Sequence, residues 1–233
     1  MSDLKILLIR HPVSQWNKEA VHQGQSPDEP GLAEEGREQA LRLADHLKGK
    51  PLLAIWHSPL PRTTETVVII NERLSESNIL SIPDRGLMEI THGIADGMHF
   101  TKIKEQFPKE WENMESRIWT DEPLFPRGEA PVQASKRKLR AQYAIARIAH
   151  RIKISSQQNE DGVIVVVAHG AVNSFFLCEI TGTPIIECWE KFPQDNACIN
   201  TIIWDEKKGE FTIESVNETS YLGDLRYSPL IKA

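Results

Sequence analysis

Cysteine is scarce in this sequence. Cys178, Cys188 and Cys198 are the whole supply, no two of them form a CxxC pair, and an odd count argues against a disulfide framework. The expectation is three reduced, mostly structural thiols in a cytoplasmic protein. Long apolar runs are missing as well. None approaches the roughly 18–20 residues of a membrane span, so no membrane association is expected. The polar stretch Met1–Lys5 leads straight into an apolar segment and does not read as a signal peptide. Net positive charge is also lacking: 27 Lys and Arg face 33 Asp and Glu, a balance of −6. That excludes broad, charge-driven binding to nucleic acid or acidic membrane. It does not exclude a small phosphorylated partner, because a few convergent arginines set a local field. There is no internal repeat and no low-complexity tract, and oligomeric state is not readable.

What is present is a series of short, wholly apolar runs. Ile6-Leu7-Leu8-Ile9 ends at Arg10-His11-Pro12, Leu52-Leu53-Ala54-Ile55-Trp56 ends at His57-Ser58-Pro59, and Val163–Ala168 ends at His169-Gly170. Apolar runs without alternation predict strands buried on both faces, as in a parallel sheet covered by helices. Helical spacing lies between them. Ala40, Leu43, Ala44 and Leu47 repeat before the stop at Gly49 and Pro51; Pro61 opens a segment carrying Val67, Ile70 and Leu74; Ala141, Ile145, Ile148 and Ile152 predict a long helix. Asn200–Trp204 and Glu210–Val216 predict a hairpin around Lys207-Lys208-Gly209. The fold class expected is α/β, a three-layer α/β/α arrangement with a mostly parallel central sheet in one domain spanning residues 1–233. Residues 92–130 break the rhythm with Trp, Phe, Pro and charge, and within them 98–130 reads as a lid-like insertion, with Trp111 and Trp119 as its hydrophobic core.

The chemistry gathers after the strands. Arg10, His11, Arg62 and His169 all follow apolar runs, and in open α/β sheets ligands bind beyond the carboxyl ends of the strands. Two guanidiniums and two imidazoles there suit one small anion. Gly170-Ala171 reads as a helix start, whose free N–H groups favour phosphate. Adjacent strand residues point to opposite faces, so Arg10 and His11 share a ligand only if the chain bends, which Pro12 favours.

Taken together, these residues resemble the histidine phosphatase superfamily, which includes the cofactor-dependent phosphoglycerate mutases. The family's Arg-His-Gly-Glu-Thr-x-Trp-Asn reads here as Arg10-His11-Pro12-Val13-Ser14-Gln15-Trp16-Asn17. Gln23-Gly24, Leu32 to Gly36, Ser58-Pro59-Leu60-Pro61-Arg62-Thr63 through Thr66, Leu87-Met88-Glu89-Ile90-Thr91-His92-Gly93, Asp96-Gly97, Pro126-Arg127-Gly128-Glu129-Ala130 with Arg137, and His169-Gly170 follow in the family's order. The resemblance implies a phosphoglycerate mutase-like fold and a set of roles. His11 becomes phosphohistidine, with its other ring N–H held by an acceptor. Arg10, Arg62 and His169 stabilise the phosphoryl oxygens. Glu89 serves as general acid and base, which calls for burial or a hydrogen-bonding neighbour to retain its proton. Asn17, Gln23, Gly24 and Gly170 contact substrate. No metal and no cofactor are called for, because the arginines supply the positive field.

Two positions depart from the family pattern. Pro12 keeps a carbonyl for the His11 ring but cannot take positive φ. Val13 replaces an acidic residue and removes a polar group expected near the rim. Ser14 is read as holding the loop. His22, His46, His57, His92, His99 and His150 are not assigned to catalysis, and Glu89-x-x-His92 lacks the second histidine of a zincin motif. Lys136-Arg137-Lys138 reads as a solvated helix face. The Ile90-Thr91-His92-Gly93 that follows Glu89 resembles the phosphatase branch rather than the mutases, which continue with Arg-His-Tyr-Gly. The leading expectation is therefore a phosphomonoester hydrolase. A phosphoglycerate mutase-type phosphotransferase and a catalytically weak phospho-ligand binding protein are the alternatives.

Overall fold

The computed structural model describes residues 4–75, 79–116, 122–155 (backbone only for 150–155) and 162–227. Its centre is a six-stranded sheet in the order β3-β2-β4-β1-β5-β6. The strands are β1 (Leu4–Arg10), β2 (Leu52–His57), β3 (Leu80–Pro83), β4 (Val163–Ala168), β5 (Ile199–Asp205) and β6 (Glu210–Glu218). The first four run parallel in the pairs β3–β2, β2–β4 and β4–β1, and the predicted hairpin β5–β6 closes one edge antiparallel to β1.

The apolar runs serve two cores at once. Ile6 and Leu8 of β1, Trp56 of β2 and Ile164 and Val166 of β4 pack against α6 (Pro131–Ser155) and α7 (Gly170–Thr181). Their alternate neighbours Leu7, Ile9, Ile55, Val165 and Val167 pack against α2 (Glu34–Leu47) and α3 (Pro61–Arg73). Successive side chains on a strand face opposite ways, so a strand between two helical layers must be apolar at every position. This is the expected α/β/α layering. Pro61 opens α3 at its first turn, where the missing N–H has no helical partner to lose. In α6, Ala141 and Ile145 are buried, but Ile148 is half exposed.

A smaller apolar cluster joins Ile103 of α4 (Phe100–Gln106) and Trp111 of α5 (Pro108–Glu115) to Ala95 and Phe125. Trp111 thus sits in a hydrophobic core, as expected, whereas Trp119 lies outside the described residues.

Three expectations need correction. Cys178 and Cys188 form a disulfide, with only Cys198 left as a buried thiol. Cys178 sits in the last turn of α7 and Cys188 opens α8 (Cys188–Lys191). The chain reverses between them through Gly182 in left-handed conformation, so the two Cα atoms come within 5.8 Å. Cysteine usage therefore gives no argument for a reducing compartment. Of Lys136-Arg137-Lys138, only Lys136 faces solvent; Arg137 is half-buried and Lys138 fully buried. Val13 is fully buried away from any rim: its N–H donates to Gln39 Oε1 at 2.9 Å, and its carbonyl accepts from Ala33. A Cβ at Gly36 would lie 1.9 Å from that carbonyl, so α2 can pack here only with glycine at this position.

No helix among the described residues is long and apolar enough to cross a membrane.

Candidate active site

The sheet register brings the strand-end residues together. Arg10 pairs with Ala168 and His57 with Val167, so β1, β2 and β4 end at the same level. The ladder extends one step further, with His11 N–H donating to Ala168 O at 3.0 Å. His11 and His169 therefore emerge side by side, their rings 5.4 Å apart between centroids. The chain turns at Pro12, and Asn196 Nδ2 supports the bend by donating to His11 O at 3.1 Å.

The bend sets the His11 tautomer. Nδ1 lies 2.7 Å from Pro12 O, and a carbonyl can only accept, so Nδ1 carries the hydrogen and Nε2 keeps its lone pair. Burial, reinforced by the Arg62 and Arg10 charges, holds the His11 pKa well below its usual value despite the Pro12 bond. The ring is neutral at physiological pH.

Arg62 reaches the same point from the first turn of α3. Its Nε donates to His169 Nδ1 at 3.0 Å, Nη2 donates to Gly24 O at 3.1 Å, and Nη1 pairs with the buried carboxylate of Glu29. Three of its five N–H groups are thus committed, leaving two for a ligand. The bond from Arg62 also fixes His169: Nδ1 accepts, so Nε2 carries the hydrogen, and this enclosed N–H has no partner among the described residues. Burial, then Arg62, keeps the His169 pKa well below its usual value. Arg10 donates through Nη1 to Gln194 O, and its Nε is buried without a partner among the described residues.

Glu89 approaches from the loop after β3, and its carboxylate caps α7: Oε2 accepts from Ala171 N and Oε1 from Val172 N, each at 3.2 Å. This departs from the expectation that these N–H groups await phosphate, since a side-chain carboxylate already takes them. Arg137 clamps the backbone leading to Glu89, donating to Gly86 O, Met88 O and Glu89 O while paired with Glu129.

These groups surround a cavity of about 320 Å³. Arg10, His11, Asn17, Gln23, Gly24, Arg62, Glu89 and Gly170 all line it; His169, fully buried, does not. Asn17 Oδ1 is engaged by Ser14 N and Asn196 Nδ2, which leaves the amide nitrogen as its end for a ligand. Ser14 caps the short helix α1 (Gln15–Lys18) and bonds Gln23, and so holds the loop as expected. Gly24 gives Arg62 a carbonyl and also serves as space, since a Cβ there would lie 1.8 Å from Asp96, whereas one at Gly170 would meet the Arg10 guanidinium only at ordinary contact distance.

Sequence reasoning missed several residues. Glu29, Gln194 and Asn196 hold Arg62, Arg10 and His11, and nothing in their local sequence signals it. His22, His92 and His99 line the cavity although they were set aside, together with Trp16, Val21, Phe100, Met114 and Trp189.

Comparison with known proteins shows the family. Residues 6–219 match the family described as histidine phosphatase superfamily (branch 1). The chain belongs to the histidine phosphatase superfamily. It is 28% identical over 225 residues to phosphoserine phosphatase 1 of Hydrogenobacter thermophilus, covering 95% of each chain. It is 34% identical over 134 residues to a probable phosphoglycerate mutase GpmB of Cronobacter sakazakii, a match covering 58% of this chain and 59% of that protein. Among solved structures, YhfR of Bacillus stearothermophilus superposes with a TM-score of 0.77 at 25% identity, covering 94% of this chain and 99% of that one. Relatives of both kinds support a phosphatase- or mutase-type enzyme of this superfamily.

Proposed function

We propose that this histidine phosphatase hydrolyses a phosphomonoester through a phosphohistidine formed on His11. One observation carries the reading. His11 is a neutral imidazole whose Nδ1–H is tied to Pro12 O, so Nε2 is its only nucleophilic atom, and it stands within one ring spacing of His169 and beside two guanidiniums. In the first step Nε2 bonds to phosphorus as the ester P–O bond breaks, and Glu89 gives a proton to the leaving alkoxide. In the second, Glu89 takes a proton from water, the oxygen attacks phosphorus, and the P–N bond breaks to return neutral His11 and inorganic phosphate. Arg10, the two uncommitted N–H groups of Arg62, and His169 Nε2–H meet the phosphoryl oxygens as charge develops. Glu89 must loosen its bonds to Ala171 and Val172 to carry the proton, so its motion is part of the cycle. Segment 98–130 acts as the selecting lid, since α4 and α5 supply Phe100, Thr101 and Met114 to the cavity.

Relatives of both kinds align over almost the whole chain, a phosphoserine phosphatase at 28% identity and a probable phosphoglycerate mutase at 26%, so the preference for hydrolysis rests on Ile90-Thr91-His92-Gly93 after Glu89, where the mutases continue with Arg-His-Tyr-Gly. The deciding experiment supplies p-nitrophenyl phosphate, phosphoserine and, separately, 3-phosphoglycerate with 2,3-bisphosphoglycerate. Net phosphate release abolished by His11→Asn is the expected result. Interconversion of phosphoglycerates without net phosphate release would replace the hydrolase reading with a mutase, and no turnover of any phosphomonoester would leave only a binding protein.

A further inference from the structure

The cavity wall opposite in character to the strand ends holds a second cluster that the phosphoryl chemistry does not use. Segment 20–24 brings in His22, and segment 91–98 brings in His92 and Asp96. One potential ligand atom from each lies within 4.8 Å of the other two. The two imidazoles meet edge to face with centroids 4.4 Å apart, and both line the cavity. We propose that His22, His92 and Asp96 form a binding site for a transition-metal cation of the Zn2+ class, with its remaining coordination position open to the cavity.

The donor set suits such an ion. Two imidazole nitrogens and one carboxylate oxygen match the borderline preferences of Zn2+ and Co2+, whereas Mg2+ and Ca2+ call for oxygen-rich shells. Tetrahedral bonds of about 2.0–2.1 Å place ligand atoms roughly 3.3 Å apart, so the three donors need only a modest inward rotation. Asp96 is already held in place by hydrogen bonds to its carboxylate. Its Oδ2 accepts from Gln25 N at 3.0 Å and Thr91 Oγ1 at 2.6 Å, and Oδ1 accepts from His92 N at 2.9 Å. A carboxylate has about four lone-pair sites; three are used, and the fourth is on Oδ1. His22 Nδ1 is enclosed and has no hydrogen-bond partner among the described residues, an arrangement that a bound ion would satisfy. Burial also keeps both rings neutral, with the His22 pKa lowered to about 4 and that of His92 well below its usual value. Neutral imidazole is the ligating form.

The competing account makes the histidines an aromatic pair, since His22 also meets Phe100 and His92 meets Phe125 edge to face. His92→Phe separates the two, because it keeps the ring packing and removes the ligand. The experiment titrates the intact protein with Co2+, following the visible bands of a four-coordinate ion, and measures Zn2+ stoichiometry by equilibrium dialysis. The expected result is one saturable site per chain, weakened at least about 10–100-fold by His92→Phe and by His22→Gln, and retained in His11→Asn. Circular dichroism identifies any variant that fails to fold. Absence of saturable binding, or unchanged binding in folded His92→Phe, overturns the proposal. Loss of the site in His11→Asn would also overturn it, by placing the ion in the phosphoryl pocket. No readout depends on turnover, so the result stands apart from that of the phosphatase test.

Discussion

The floor and the wall of the cavity are built on different principles. The floor is polar and comes from strand ends locked in register: His11 follows β1, His169 lies enclosed beside it after the adjacent parallel β4, and Arg62 and Arg10 are each fastened by hydrogen bonds. The wall is mostly apolar and comes from loop segments and the three short helices α1, α4 and α5, with Trp16, Val21, Phe100 and Met114 facing inward. A tight hydrogen-bonded floor suits transition-state chemistry, where a small displacement is costly. An apolar wall discriminates weakly and broadly between leaving groups. On the proposed mechanism rate belongs to the floor and substrate choice to the wall, and the contrast can be broken at either.

The largest effect belongs to the floor. His11→Asn removes the proposed nucleophile and is expected to lower kcat/KM by at least about 10⁴-fold, with no acid-labile phosphoryl label on the protein after quenching. Residual activity above a hundredth of wild type would mean that His11 does not carry the phosphoryl group. Next comes the support beneath the floor. Glu29 and Arg62 form an ion pair with both side chains almost wholly enclosed, and removing one member leaves a buried charge uncompensated. Glu29→Ala is expected to cost about 3–5 kcal/mol of stability, seen as a Tm lower by roughly 10 °C or more, together with a loss of activity as Arg62 loses its orientation. An unchanged Tm would show that Arg62 finds its support elsewhere.

A third test concerns the layer under the floor. Lys138 is as deeply buried as Arg62 but is not fastened: its Nζ has no hydrogen-bond partner among the described residues. Burial, then the Arg137 charge, lowers its pKa to about 7, against partial compensation from Glu89 and Asp84. The unfolded chain holds this proton up to about pH 10.5, so between about pH 7 and 10.5 it binds more protons than the folded chain, and stability rises with pH. The cost is fully present below pH 7 and vanishes above about 10.5. Lys138→Met is therefore expected to stabilise the protein by a few kcal/mol at neutral pH, on the order of the shift itself, and to flatten the rise in Tm across that window. A destabilised Lys138→Met would show that Lys138 has a compensating role.

How much could be read from the sequence follows the same division. The strands were legible because burial on both faces removes the usual alternation, and Arg10, His11, Arg62 and His169 stood out because each closes or follows such a run. Glu89 was legible only through its motif, since a loop carboxylate carries no periodic signal. The supports were not legible. Glu29 meets Arg62 across 33 residues, Asn196 meets His11 across 185, and His22 meets His92 across 70, and no local pattern encodes such pairings. Lys138 was misread because a run of three charges on a helix points in three directions, only one of them outward. The Cys178–Cys188 pair escaped a count-based argument because the turn at Gly182, not the parity of the cysteines, brings the two together.

The smallest effect should come from the wall, and Met114 is its best probe. Phe100 also lines the cavity but packs on Trp111 and His22, so truncating it disturbs the small core and the selecting surface together. Met114 is half-buried, unbranched and adaptable, and it faces the cavity from α5. Met114→Ala removes apolar contact worth about 1–1.5 kcal/mol to a bulky leaving group and little to a small one. The ratio of kcat/KM for p-nitrophenyl phosphate over a small alkyl phosphate is expected to fall roughly 5–10-fold, with the change carried by KM. The His11 site is untouched by the substitution, so the rate of phosphohistidine hydrolysis after a single turnover should not move. If that rate falls in step with KM, the wall reaches the reacting atoms and the division between rate and choice fails.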